Sequence, residues 1–122
     1  MKMIVAATLL LACASAGAQN WVSTLKNGPA EHFDEQDLRM FLDAARKALN
    51  EAPNNEAVKW QNPATRSGGE LTVLRRFDWQ KKPCKEVRIR NEAAGRKADS
   101  TVNACQVDGK WRLVSASQLK KK

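Results

Sequence analysis

His32 is the only histidine among 122 residues, and the cysteines number three: Cys13, Cys84 and Cys105. A structural zinc site needs about four convergent nitrogen or sulfur ligands, so no metal or other cofactor is expected. A Ser-His-Asp triad would have to use His32, which stands in linker-like sequence just before a helix start, and nothing in the spacing supports one. Asp34, Glu35 and Asp37 could pair carboxylates for glycoside chemistry. Acids at a helix start, however, ordinarily cap orphan N–H groups and complement the helix dipole. The stretch "SGGEL" (67–71) lacks the lysine and the length of a phosphate-binding loop and reads as a turn. What remains is "RRFDWQKKPCK", which sets Trp79 among Arg75, Arg76, Lys81, Lys82 and Lys85. An aromatic ring interleaved with cations can grip a membrane interface, a glycan or an acidic partner. The reading is therefore non-catalytic.

The elements that position these residues begin after an export signal. "MKMIVAATLLLACASAGAQN" has a charged start, a short apolar run from Met3 to Cys13 and small residues, the layout of a secretory signal. The run falls short of the roughly 18–20 apolar residues that span a bilayer as a helix. Residues 1–18 are read as the signal, leaving Gln19 at the new terminus. A competing reading takes "LLAC" (10–13) as a lipoprotein signal with Cys13 acylated, and both stay open. Residues 19–30 read as a linker or arm, 31–117 as one domain, and 118–122 as a basic tail.

Charge divides the exported part unevenly. From Gln19 to Trp60 seven acids face five bases, whereas from Gln61 to Lys122 fifteen bases face six acids. A basic exported domain suits anionic envelope components such as lipid headgroups, lipopolysaccharide or cell-wall polymers. Nucleic acid would accept the same charge, but an exported chain rarely meets it. The expected location is the periplasm, outer membrane or cell surface.

In "HFDEQDLRMFLDAARKALNEAP", Leu38, Phe41, Leu42, Ala45, Ala48 and Leu49 recur at helical spacing. The pattern predicts a helix over 35–51, with Asp34 as N-cap, a Phe33–Leu38 staple and Pro53 as the stop. Beyond Pro53 the period falls to two. Val58 and Trp60 alternate with polar residues, and "NPATRSGG" supplies a loop. Leu71, Val73, Phe77 and Trp79 read as one face, interrupted by Arg75. "CKEVRIR", "STVNAC" and "KWRLVSA" complete about five antiparallel strands. The fold class is α+β: one N-terminal amphipathic helix packed on a curved antiparallel sheet.

Two turns set the register. Asp108-Gly109 is a type I′ hairpin signal, and centring the turn there places Gln106 opposite Trp111, Ala104 opposite Leu113 and Val102 opposite Ser115. A turn centred on Ala94-Gly95 places Cys84 opposite Cys105, where a cross-strand disulfide can close. A bridge around a loop of this size is worth about 3 kcal/mol by chain entropy. The same register gives Val87, Ile89, Val102, Ala104, Trp111 and Leu113 one face. Cys84, Cys105, Arg88, Arg90 and Arg112 share the other, with Arg90 opposite Asp99. The arginines join the Trp79 cluster as candidate binding residues.

The arrangement "WQNPATRSGGELTV … CKEV … GRKADSTVNACQVDGKWRLV" resembles the C-terminal domain of the rickettsial common surface antigen family, the 17 kDa antigen type of Gram-negative envelope proteins. Carrying the resemblance are Trp60, Asn62-Pro63, Gly68-Gly69, Cys84, Gly95, Ala104-Cys105, Asp108-Gly109 and Trp111, across about residues 58–115. It implies an envelope location, often as an outer-membrane lipoprotein, without an established enzymatic activity. This chain departs from the pattern in lacking a Gly-rich segment upstream and in its poor lipid-signal match. The function expected is that of an envelope protein binding or organising an envelope component; the alternative is a periplasmic inhibitor or partner of another protein.

Overall fold

The structure is a computed structural model that describes Trp21, Leu25 and residues 28–120. The expected signal segment and Cys13 lie outside the described residues. Helix α1 (Glu35–Asn50) starts at Asp34, whose side chain accepts from the Asp37 backbone N–H while the Asp37 carboxylate accepts from the Asp34 N–H. This reciprocal capping satisfies two donors that a helix start otherwise leaves orphaned. The helix closes at Glu51, two residues before Pro53. It is preceded by a 3₁₀ turn (Pro29–His32) and by buried Trp21, so it does not open the chain.

Five strands follow: β1 (Ala57–Asn62), β2 (Ser67–Trp79), β3 (Lys82–Ala93), β4 (Arg96–Val107) and β5 (Lys110–Val114). Each pairs antiparallel with the next, giving one open sheet in the order β1-β2-β3-β4-β5. A short helix, α2 (Ala116–Leu119), is capped by Ser115 and Gln118 and ends the described chain. The helical turn shows that part of the sequence read as a plain basic tail has local structure.

The two hairpin turns lie where the sequence places them. Ala94, Gly95, Asp108 and Gly109 all have positive φ, as type I′ geometry requires. Cys84 accordingly faces Cys105, Gln106 faces Trp111 and Ala104 faces Leu113; the paired ladder ends at Asn103–Val114, one step before the expected Val102–Ser115 pair. The Cys84–Cys105 disulfide is formed.

The core lies between α1 and one face of the sheet. Phe41, Ala44, Ala45, Ala48 and Leu49 pack with Trp60, Leu71, Val73, Val87, Ile89, Val102 and Ala104, and Trp21 joins them. Phe33, Leu38, Leu42, Trp111 and Leu113 rim this cluster half-buried. Edge-to-face ring contacts link Trp21 to Phe41 and Phe33 to Trp60, centroids 6.0 and 5.1 Å apart. Burying each large apolar side chain contributes about 1.5–3 kcal/mol.

Two expectations are corrected. Ser67, Gly68 and Gly69 are not loop but the first residues of β2. A Cβ on Gly69 would stand 2.2 Å from the Arg90 carbonyl oxygen and 2.6 Å from Asn91 Oδ1, so the residue is a close-approach glycine inside the ladder. The second correction concerns the phase of β2. The register shifts between Val73 and Arg75, leaving Leu74 as a bulge residue. An extra residue reverses the alternation beyond it. Leu71 and Val73 therefore face the helix, whereas Phe77 and Trp79 pack on the opposite face with the disulfide.

Candidate functional site: the disulfide-bearing face of the sheet

The bulge at Leu74 builds the site. It moves Phe77 opposite Cys84 and Trp79 opposite Lys82. There the two rings, with Leu119 of α2, pack around the buried Cys84, Cys105 and Val114. Trp79 and Phe77 are partly buried, and the Trp79 Nε1–H is itself buried without a hydrogen-bond partner among the described residues. Cations lie against both rings: the Arg75 guanidinium sits 4.7 Å from the Phe77 centroid, and Lys82 Nζ 5.5 Å from that of Trp79. Exposed contacts of this kind are worth about 0.5–1 kcal/mol each. Arg112, opposite Cys105, adds a further exposed cation. The β2–β3 turn is Gln80-Lys81, both at positive φ without a glycine, and it presents Lys81 at the tip. The sequence places a strand end and loop between Trp79 and Cys84, but neither turn residue advertises the tight positive-φ geometry.

The same face continues away from the disulfide as a charged ladder. Arg90 Nε contacts Asp99 Oδ1 at 3.0 Å, as the register implies, and Arg88 joins the same carboxylate at 3.3 Å. Arg90 also reaches Glu70 at 3.5 Å, and Arg75 reaches Glu86 at 3.3 Å. Hydrogen bonding from Arg88, followed by that from Arg90, holds the Asp99 carboxyl below its usual value despite some desolvation. These are exposed pairs, each contributing at most about 1 kcal/mol.

The structure thus brings Trp79, Arg75, Lys82, Arg88, Arg90 and Arg112 onto one face and Lys81 to its end. Arg76 and Lys85 fall on the helix-covered face, opposite one another in the ladder. Lys85 Nζ donates to the Leu49 carbonyl at the end of α1 and lies 5.6 Å from the Trp111 centroid. Burial, then the neighbouring Arg76 charge, pushes the Lys85 ammonium below its ordinary value. A lysine capping helix carbonyls is doing structural work there.

A second polar centre escaped sequence reasoning. Asp37 is fully buried, and its Oδ1 accepts from Thr65 Oγ1 at 2.6 Å and Asn62 Nδ2 at 2.8 Å. Burial alone would push this carboxyl up. Hydrogen bonds from Thr65, the Asp34 backbone, Asn62 and Ser67 outweigh it and leave Asp37 below its usual 3.8. Asn62 Oδ1 in turn accepts from the Ala64 N–H at 3.1 Å. The network ties the start of α1 to the β1–β2 turn and commits the Asp37 carboxylate to structural hydrogen bonds. Its signal was the Asn62-Pro63 pair within the family-like motif. His32, 39% exposed by side chain, stands 4.0 Å from Glu31. Among the described residues no group of three or more His, Cys, Asp or Glu side chains could hold a metal ion, and no helix is long and apolar enough to cross a membrane.

Fold and face together define a small α+β domain: a helix on a five-strand meander, stapled by one cross-strand disulfide, with an aromatic and cationic open face. The sequence comparisons narrow that class. Over 84 residues the chain is 30% identical to the "17 kDa surface antigen" of Rickettsia prowazekii (strain Madrid E), covering 67% of this chain and 53% of that one. The protein of the same name from Rickettsia conorii (strain ATCC VR-613 / Malish 7) is 31% identical over 85 residues, 68% and 54% of the two chains. That from Rickettsia bellii (strain RML369-C) is 29% identical over the same length. Over two-thirds of its length the chain is homologous to proteins named 17 kDa surface antigen, and it spans about half the length of the curated relatives it matches. No family model matches it, and no solved structure does so significantly.

Proposed function

We propose that this chain is a non-catalytic, exported envelope protein whose disulfide-bearing sheet face docks on an anionic envelope component. The observation that carries the reading is the Leu74 bulge, which turns Phe77 and Trp79 into the company of Arg75, Lys82 and Arg112. Partly buried rings that keep an exposed edge suit the boundary between apolar and polar layers, and flanking cations suit phosphate or carboxylate groups. Each Lys or Arg near an anionic lipid surface contributes about 1 kcal/mol, so Lys81, Lys82 and Arg112, which Glu86 does not neutralise as it does Arg75, together supply about 3 kcal/mol, a weak and reversible attachment. The surface-antigen names of the relatives support an envelope setting, and export with a signal over 1–18 is part of the same reading.

Co-sedimentation tests it. Vesicles of phosphatidylcholine with phosphatidylglycerol should retain the protein at low salt and release it at high salt, and pure phosphatidylcholine should not retain it. Trp79→Ala and Arg112→Glu should each lower retention several-fold. Absence of retention at low salt overturns the reading. Salt-resistant capture by a periplasmic protein would favour a partner or inhibitor role instead.

A further inference from the structure

About 35 Å along β2 from Trp79, at a rise of ~3.3 Å per residue, lies a groove that the docking reading does not use. Two cross-strand rows form its walls. One runs Lys59, Glu70, Arg90, Asp99 and the other Gln61, Gly68, Glu92, Lys97. Gly68 leaves a gap in the second row. A trough of about 750 Å³ opens there, with Arg66 at its end. That volume lies within the ~300–1,000 Å³ of small-ligand sites.

The lining selects the occupant by its chemistry. Arg90 is already committed to Glu70 and Asp99. Lys59, Arg66 and Lys97 form no ion pair with the described residues and are exposed. Those cations call for an acidic group. The carboxylates of Glu70, Glu92 and Asp99 and the Gln61 amide are acceptors, and acceptors call for hydroxyl donors. A polyanion with no donors would meet Glu92, unpaired among the described residues, and leave the remaining acceptors unmatched; an apolar ligand would desolvate all of these charges. A sugar ring meets both demands and can lie flat over a glycine, where no Cβ lifts it from the backbone.

We infer that this groove is a binding site for an acidic saccharide, a short glycan carrying carboxylate or phosphate substituents. It is distinct from the Trp79 patch and stands or falls independently of it.

The test is an NMR titration of the full chain with trigalacturonate, alongside maltotriose and inorganic phosphate. Trigalacturonate should shift the amides of Gly68, Gly69, Glu92 and Lys97, while neither control produces saturable shifts there. Lys97→Glu should weaken binding at least tenfold, and Lys110→Glu, equal in net charge but on β5, should leave it within twofold. Gly68→Gln, whose side chain fills the trough, should abolish it. Since Cβ at 68 approaches the Trp60 carbonyl oxygen at 3.0 Å, that variant is accepted only with an unchanged amide spectrum elsewhere, and Lys97→Glu decides otherwise. Equal shifts from phosphate, shifts confined to the Trp79 end, equal losses in the two charge variants, or no binding would each overturn the assignment.

Discussion

Asp37 is a carboxylate taken wholly out of water and kept ionised by the donors around it. Replacing it with alanine strands the Asn62 amide and the Thr65 hydroxyl, and the expected cost is about 3 kcal/mol, read as a lower midpoint in urea unfolding. Its pH behaviour follows from the sign of its shift. A folded-state value held below 3.8 means that its stabilising contribution is complete above that value and fades as pH falls through the depressed one. The gap in stability between wild type and Asp37→Asn should therefore be widest near neutrality and shrink in acid. Gly69→Ala is the second residue-scale probe. Its methyl would stand 2.2 Å from a backbone oxygen, so strand separation must follow, at about 2–3 kcal/mol in thermal or urea unfolding. Gly69 was visible in sequence only as part of the Gly68-Gly69 motif. Asp37 read as an ordinary helix-start acid, because the donors that surround it come from 25–28 residues further on.

At the scale of elements, hairpin chemistry made the register of β3, β4 and β5 legible. Ala94-Gly95 and Asp108-Gly109 centre their turns, and the meeting of Cys84 with Cys105 follows by counting. Removing the bridge by Cys84→Ala with Cys105→Ala should cost about 3 kcal/mol yet leave the same amide ladder in hydrogen exchange, since the turns and not the sulfurs choose the pairing. The phase of β2 was not legible. "ELTVLRRFDW" alternates well enough to suggest one continuous face, and a bulge at Leu74 is decided by how β3 aligns. Deleting Leu74 should return Phe77 and Trp79 to the helix-facing side and weaken vesicle retention several-fold. The groove was equally hidden. Its walls come from four strands, and it exists only because Gly68 belongs to β2 and not to a loop.

Across the whole molecule, the sites are spread over one sheet face whose ends differ. One end joins rings and cations, and the other joins cations and acceptors around a gap. A formal net charge of +8 adds long-range attraction to anionic surfaces, which sets encounter rate more than fit. The order of the strands has its own consequence. Since each strand lies beside its successor, no segment has to be carried past another to complete the sheet. Contacts between chain neighbours close at low entropic cost, so refolding from urea should be rapid with the cysteines reduced, on the millisecond scale of mixed α/β domains. Oxidation then seals a hairpin already standing. A chain assembled in this sequential way can acquire its shape progressively, from whichever end is freed first, and needs no oxidant to find it.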